Sequence, residues 1–253
     1  MPDPTVALPH REELGVAFER ALLPLRTDDA PLGLLFSGGI DSTLLAWELR
    51  RRPALTLYTI GTEGSADLRA AEVAASRLDM AWIPLLIASE DVASSEERHR
   101  ATLTDLGPVA RTVLLSIATA IDRAPVRRLV CGQGADELFL GYAHYRGLAP
   151  ADAERRSLAD LDRLRTIDWP KTQLLADRAQ KVLSAPYLES GFVRASLSIP
   201  IDERLPHDEP KRMLRRWAVE RGVPPELASR PKKALQYGSG VDAIVRSRRA
   251  RRS

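Results

Sequence analysis

An α/β protein is what this sequence predicts: a parallel sheet with helices on both faces, joined to a C-terminal helical subdomain. Three observations carry that expectation. Short apolar runs alternate with helical patterns through about residue 145, the order that builds parallel sheets. The runs are nearly continuous in apolar residues, as in strands buried on both faces. Two glycine-rich segments, SGGIDS and GQGADE, each follow such a run directly, and ligands of parallel sheets sit beyond the carboxyl ends of the strands.

The elements follow in order. Residues 11–26 place Leu14, Phe18, Leu22 and Leu25 at helical spacing. Gly33-Leu34-Leu35-Phe36 reads as a buried strand, followed by the first glycine loop and a helix from about Asp41 to Arg51. Leu55 to Ile60 is a second strand ending at Gly61, and a helix follows from about Asp67 to Leu78. Trp82 to Ile87 is a third strand. A helix from about Val109 to Arg123 carries Val113, Ile117 and Ile121 on one side, and Arg128 to Cys131 is a fourth strand. An α/β core with an N-terminal helix is thus expected over residues 1–145. Residues 146–245 show charged helical segments broken by Pro170, Pro186, Pro200 and Pro206, without strand alternation. They are expected to form a helical subdomain closing the site, with one helix starting near Asp208 and Pro210 and running through Trp217.

Composition excludes several functions. At 44% apolar and 28% charged over 253 residues, the chain can bury a sizeable core. Its apolar runs fall far short of the roughly 20 residues of a membrane span. No basic stretch leads into an apolar one at the N-terminus, so a cytoplasmic protein without a membrane partner is expected. Cys131 is the only cysteine, which excludes an intrachain disulfide and a multi-cysteine metal site. His10, His99, His144 and His207 show no metal-ligand spacing. The net charge is +3, yet residues 246–253 alone hold five arginines, so the remainder is net acidic. That tail is expected to be disordered, and nucleic acid is not the expected partner.

The chemistry begins at Ser37 to Ser42. A strand that runs through two glycines into a helix exposes backbone N–H groups at the helix terminus, where they bind phosphate. Glycine lets the backbone approach the anion without a Cβ in the way. Asp41 is an acid at a phosphate site, and Mg²⁺ bridging carboxylate and phosphate oxygens resolves that conflict. The plainer alternative is a glycine turn whose Asp41 only caps the helix. The loop lacks the lysine of the usual P-loop.

SGGIDST resembles the SGGxDS loop of the ATP pyrophosphatase (PP-loop) superfamily, whose fold is adenine nucleotide α-hydrolase-like. GQGADELFLGYAHYR is similar to the GEGADELFGGYxxY segment of asparagine synthetases. GTEGSADLRAAEVAASRL, APYLESGFVRASLSIPIDER and KRMLRRWAVERGVPPELASRPKK resemble further stretches of the same synthetases, in the same order. The resemblance covers residues 30–241. It implies ATP and Mg²⁺, with Ser37, Gly38, Gly39, Asp41 and Ser42 on the β- and γ-phosphates and Asp41 and Asp136 on the metal. It implies Leu35, Ile60 and Gly132 around the adenosine, and Lys211 and Lys232 near the phosphates. The implied reaction adenylates a carboxylate, aspartate or another small acid, for attack by ammonia or an amine.

This sequence departs from that pattern at three places. The synthetases begin with a glutaminase domain led by a cysteine, whereas Pro2 stands here and about thirty residues precede the loop. Nitrogen is therefore expected from free ammonia, an amine or a separate nitrogen-supplying protein; a second copy of the chain is the other protein partner considered. Gln133 occupies the position of a glutamate thought to act on the incoming amine, and glutamine cannot take a proton at neutral pH. Val182, Leu183 and Ser184 stand where an E-x-R is expected. Two alternatives stay open: adenylation of a different metabolite or RNA base, with the basic tail as anchor, and an inactive nucleotide-binding regulator. Tyr142 and Tyr145 are left to packing, as are Trp82, Trp169 and Trp217. Cys131 reads as a small buried thiol.

Overall fold

The computed structural model describes residues 9–27, 29–205, 209–230 and 235–250. Its centre is a parallel sheet of β1 (Leu32–Leu35), β2 (Leu55–Gly61), β3 (Trp82–Leu86), β4 (Arg128–Val130) and β5 (Val182–Ser184), in the order β3-β2-β1-β4-β5. β1 pairs with β2 on one side and with β4 on the other, so chain order reverses between β1 and β4. At that reversal the connecting segments leave in opposite directions and open a crevice beyond the strand ends.

Helices cover both faces. The chain runs through α1 (Pro9–Arg26), α2 (Ile40–Leu49), α3 (Ala66–Leu78), α4 (Ser89–Arg98), α5 (Pro108–Arg123) and the short α6 (Ala135–Leu138). Then come α7 (Pro150–Arg163), a π-turn at Leu164–Asp168, and α8 (Trp169–Arg178). After β5 follow α9 (Ser190–Leu197), α10 (Ile201–Arg204), α11 (Arg212–Glu220), α12 (Pro225–Ala228), α13 (Leu235–Gly238) and α14 (Val241–Ala250). One apolar core lies between the sheet and α1, α2, α3, α9 and α11; a second lies between it and α4, α5, α8 and α14. The Leu14, Phe18, Leu22 and Leu25 face of α1 is fully covered in the first core.

That core is fixed by an aromatic knot. The Phe18 ring lies 5.6 Å from Tyr187, 5.1 Å from Phe192 and 5.3 Å from Trp217. Such pairs add about 0.5–1.5 kcal/mol each beyond their buried area. Around it, Arg221 pairs with Glu48 at 2.6 Å and with Glu19, while Arg26 pairs with Glu48 at 2.8 Å. These pairs tie α1, α2 and the end of α11 together, so the C-terminal half is packed onto the helix that follows the first glycine loop.

Three expectations are corrected. Residues 146–245 are not purely helical: β5 extends the sheet, pairing Arg128 with Val182 and Val130 with Ser184. Three residues on an edge, with Val182 exposed, leave too little apolar patterning to read. The arginine tail, expected to be disordered from residue 246, continues as helix to Ala250. Arg246 pairs with Asp242 at 2.6 Å and Arg248 with Glu96 at 2.8 Å, which replaces self-repulsion by local partners. Helix α11 starts at Arg212, after the expected start; Asp208 lies outside the described residues. α4 was not foreseen, because Val92 is the only large apolar residue it offers. It is held by tertiary bonds: Asp122 accepts from Ser95 at 2.6 Å, sits 3.1 Å from the buried His99 ring and pairs with Arg98 at 2.9 Å.

Candidate active site

The loop after β1 folds back on itself. Ser42 Oγ donates to the Gly39 carbonyl at 3.1 Å, accepts from the Ser37 N–H at 3.2 Å and lies 3.2 Å from Ser37 Oγ. Gly39 is the N-cap of α2, and no side chain caps its first N–H groups, so the helix terminus keeps the donors an anion needs. Gly38 has φ 64, and a Cβ there would lie 2.5 Å from Arg230 Nη1 and 2.9 Å from the Ala70 carbonyl oxygen. The same guanidinium donates to the Gly38 and Ala70 carbonyls at 2.9 and 2.8 Å, clamping the loop to α3.

Asp41 does not cap the helix. Its carboxylate accepts from the Lys211 ammonium at 2.6 Å through each oxygen. Asp136, in the first turn of α6, stands 2.7 Å from the same Nζ. The two carboxylates, one after β1 and one after β4, therefore share one buried cation. Burial pulls the Lys211 pKa down, but the charges of Asp136 and Asp41 outweigh it and leave it raised. Tyr187 donates its hydroxyl to the Asp41 carbonyl at 2.9 Å, linking the loop to the aromatic knot.

Local packing places Lys211 there. It is the N-cap of α11 in a left-handed conformation, φ 59 and ψ 29, unusual for a residue with a side chain. Gly141 leaves the room its side chain crosses: a Cβ at 141 would lie 2.0 Å from Asp136 Oδ1 and 2.1 Å from Lys211 Cε. Gly132 stands against Asp41, 3.0 Å from its Cβ to an added methyl.

A cavity of about 650 Å³ opens beside this cluster at the β1–β4 reversal. Leu35, Ser37, Asp41, Ser42, Ile60, Gly132, Gln133 and Asp136, all expected site residues, line it. Gly38 and Gly39 belong to the loop but are not part of that lining, and Lys211 meets the site through its contacts with the two carboxylates. Lys232 lies outside the described residues. Val113, Leu114 and Ile117 of α5 form an apolar wall, and Arg156, Asp160 and Arg163 of α7 with Asp168 of the π-turn form a charged rim.

Some participants were missed in the sequence. Glu137 lines the cavity and is 5% exposed; burial, with the neighbouring Asp136 charge, pushes its pKa up to about 7. Tyr142, left to packing, lines the same cavity and donates its hydroxyl to Glu137 at 2.6 Å. Only the position of Tyr142 beside the GADE segment could have pointed to it. Tyr145 is buried, with its hydroxyl 2.9 Å from Asp160. Cys131 is buried and its thiol is pushed up to about 12, which keeps it protonated and unreactive.

Two carboxylates on one cation suit a hard dication that completes its shell with phosphate oxygens and water. Among the described residues no group of three or more His, Cys, Asp or Glu could hold a metal alone. No helix among them is long and apolar enough to cross a membrane.

The family model described as asparagine synthase matches residues 13–185 and 182–252. The chain is 29% identical over 94% of its length to the glutamine-hydrolysing asparagine synthetase of Rattus norvegicus, and 28% identical over 94% to that of Homo sapiens. It spans 44% of the length of each. Among solved structures it is similar to the NH3-dependent NAD synthetase of Campylobacter jejuni, with TM-score 0.40 and 16% identity over 69% of this chain and 94% of that one. It is also similar to the U34-tRNA thiolase of Methanococcus maripaludis, with TM-score 0.38 and 13% identity over 94% of this chain and 79% of that one.

Proposed function

Because the chain belongs to the asparagine synthase family, we propose that its cleft activates a small carboxylic acid with ATP, releasing pyrophosphate, and passes the acyl-adenylate to ammonia or an amine. AMP leaves as the amide forms. The observation that supports this reading above the others is the pairing of Asp41 and Asp136, from different strand ends, on one cation beside a helix terminus with uncapped donors.

The residues divide the work. Backbone N–H groups of Ser37 to Ser42 hold the β- and γ-phosphates, and Arg230 keeps the loop in the shape that presents them. Leu35, Ile60 and Gly132 frame the adenosine against the apolar wall of α5. Magnesium, held by Asp41 and Asp136 with triphosphate oxygens, would draw negative charge from the departing pyrophosphate. Lys211 opposes charge building on the α-phosphate with a compact ammonium, and Lys232 is assigned the same task on the family resemblance. The substrate carboxylate lies toward Gln133, Glu137 and the α7 rim, and positioning supplies most of the rate.

A panel of amino acids and other small carboxylates, screened for pyrophosphate release with ammonia present, tests the reading. It expects a subset of acids to give pyrophosphate and AMP, with Asp41→Asn inactive though folded. ADP as the nucleotide product, or full turnover by Asp41→Asn, removes it.

A further inference from the structure

Helix α6 carries Asp136 and Glu137 on only four residues, too few to hold a helix by themselves. A helix end leaves its last carbonyls without intrahelical partners, and such groups need donors when buried. Here the donors come from several places. The Ala135 carbonyl accepts from the Phe139 N–H at 3.1 Å and the Asp136 carbonyl from the Gly141 N–H at 2.8 Å. The Glu137 carbonyl accepts from Ser157 Oγ of α7 at 2.8 Å. The Leu138 carbonyl accepts from Arg204 Nη1 of α10 at 3.2 Å. Leu140, at φ 51, turns the chain in the left-handed region, unusual for a residue with a side chain. It packs with Tyr145 and Ala153 in a third apolar cluster.

Arg204 is the unexpected member of this set. It is 1% exposed, its Nε donates to the Ile199 carbonyl at 3.2 Å, and the carboxylate that faces it, Glu154, stands 3.8 Å away. Burying a guanidinium without a close carboxylate is unfavourable, and burial lowers its pKa although the Glu154 charge opposes this. An apolar side chain of similar length would avoid that penalty but would leave the Leu138 carbonyl without its donor. Resting on the reading of Asp136 as a metal carboxylate, we infer that Arg204, together with Ser157, is a positioning residue that fixes how α6 presents Asp136 to the metal–triphosphate. Arg204 works from behind the site, through the backbone of α6. Groups that orient a metal ligand in this way typically account for about 10–100-fold in metal affinity or activity. A shift of about 1 Å in a reacting group is enough for a loss on that scale.

The test compares the full chain with Arg204→Met, Arg204→Lys and Ser157→Ala by two readouts. The first is amide hydrogen exchange followed by mass spectrometry, without metal or nucleotide. Arg204→Met and Ser157→Ala should speed exchange in residues 134–142 while the segment over α2 keeps its wild-type rate. The second is steady-state pyrophosphate release as a function of magnesium. Arg204→Met should raise the magnesium concentration for half-maximal rate about tenfold or more, and Arg204→Lys, which keeps the charge and a donor, should recover most of that loss. An arginine that only stabilised the fold would move the urea midpoint and leave the magnesium requirement where it was. Wild-type exchange in 134–142 in both donor-deleting variants, exchange raised evenly along the chain, or an unchanged magnesium requirement each overturns the inference. Where Arg204→Met does not fold, Ser157→Ala decides by the same two readouts, since it deletes a single oxygen. If wild type itself releases no pyrophosphate with any acid of the panel, the ATP reading fails first, and the exchange result still decides whether Arg204 holds α6.

Discussion

Gly141 shows how much a site can depend on an atom that is missing. Its N–H donates to the Asp136 carbonyl at 2.8 Å, closing the turn after α6, and its bare Cα lets Lys211 pass to both carboxylates. Gly141→Ala places a methyl inside contact distance of Asp136 Oδ1 and Lys211 Cε, and neither can retreat without lengthening the 2.7 Å ion pair between them. Overpacking of this kind costs about 1–3 kcal/mol. The variant should lose that much stability in urea unfolding and lose ATP-dependent pyrophosphate release by at least about a hundredfold, the scale of one misplaced charge-stabilising group. Retained turnover would show that Lys211 does not need this path. Gln133 is the opposite case at the same scale, a side chain on the cavity wall with no titratable group. Its nearest described bond is from the Cys131 thiol at 3.5 Å. That contact is weak enough to leave the amide available to substrate.

At the scale of elements, the glycine loop is a strand-to-helix turn held from outside. Arg230 reaches it from beyond α12 and bonds both Gly38 and Ala70, while Tyr187 holds the Asp41 carbonyl from the segment after β5. The C-terminal half thus shapes the glycine loop of the N-terminal half rather than merely covering it. Arg230→Ala removes two charge-assisted bonds, worth about 1.5–3 kcal/mol each when made to a charged donor. It should raise the KM for ATP about tenfold or more with a smaller change in kcat, measured by steady-state pyrophosphate release at saturating acid. An unchanged KM would mean the loop keeps its shape unaided. The sheet behaves in the same way: β5 exists because β4 offers it an edge, and it carries the chain back toward the site at Pro186 and Tyr187.

For the whole molecule, buried charge sets the dependence of stability on pH. Glu137 titrates near 7 in the fold against 4.5 in its ordinary state, with burial as the main cause and the Asp136 charge second. A carboxyl raised by folding means that the native chain holds more protons than the unfolded one between those values. Its contribution is therefore full below about 4.5 and is lost as the pH rises through about 7. The loss is on the order of 3 kcal/mol at one unit of pKa per 1.36 kcal/mol. Urea midpoints of metal-free protein should fall between pH 5 and pH 8, and Glu137→Gln, which keeps an acceptor for the Tyr142 hydroxyl, should flatten that fall. Equal slopes for the two proteins would assign the titration elsewhere. Asp122 acts in the opposite sense: although burial opposes it, bonds from His99, Ser95 and Arg98 hold its carboxyl below the usual range. Its contribution is lost as pH falls, so the two groups act at different ends of the scale.

The sequence by itself determined the parallel sheet, because strands buried on both faces are written as apolar runs that need no partner to be recognised. It determined Ser37 to Ser42 and Gly132 to Asp136 as one site, since both loops end neighbouring strands of such a sheet. It also carried the family, through matching segments in matching order. Only the tertiary structure decided where Lys211 points, that Gly141 makes room for it, that Arg230 and Tyr187 hold the loop, and that Tyr142 and Glu137 belong to the cavity. Each of these depends on residues distant in the chain meeting in space, and no local periodicity or spacing encodes such a meeting. The short strand β5 and the helix α4 belong with them. Their formation free energy comes from an edge and from Asp122, and little of it from their own residues.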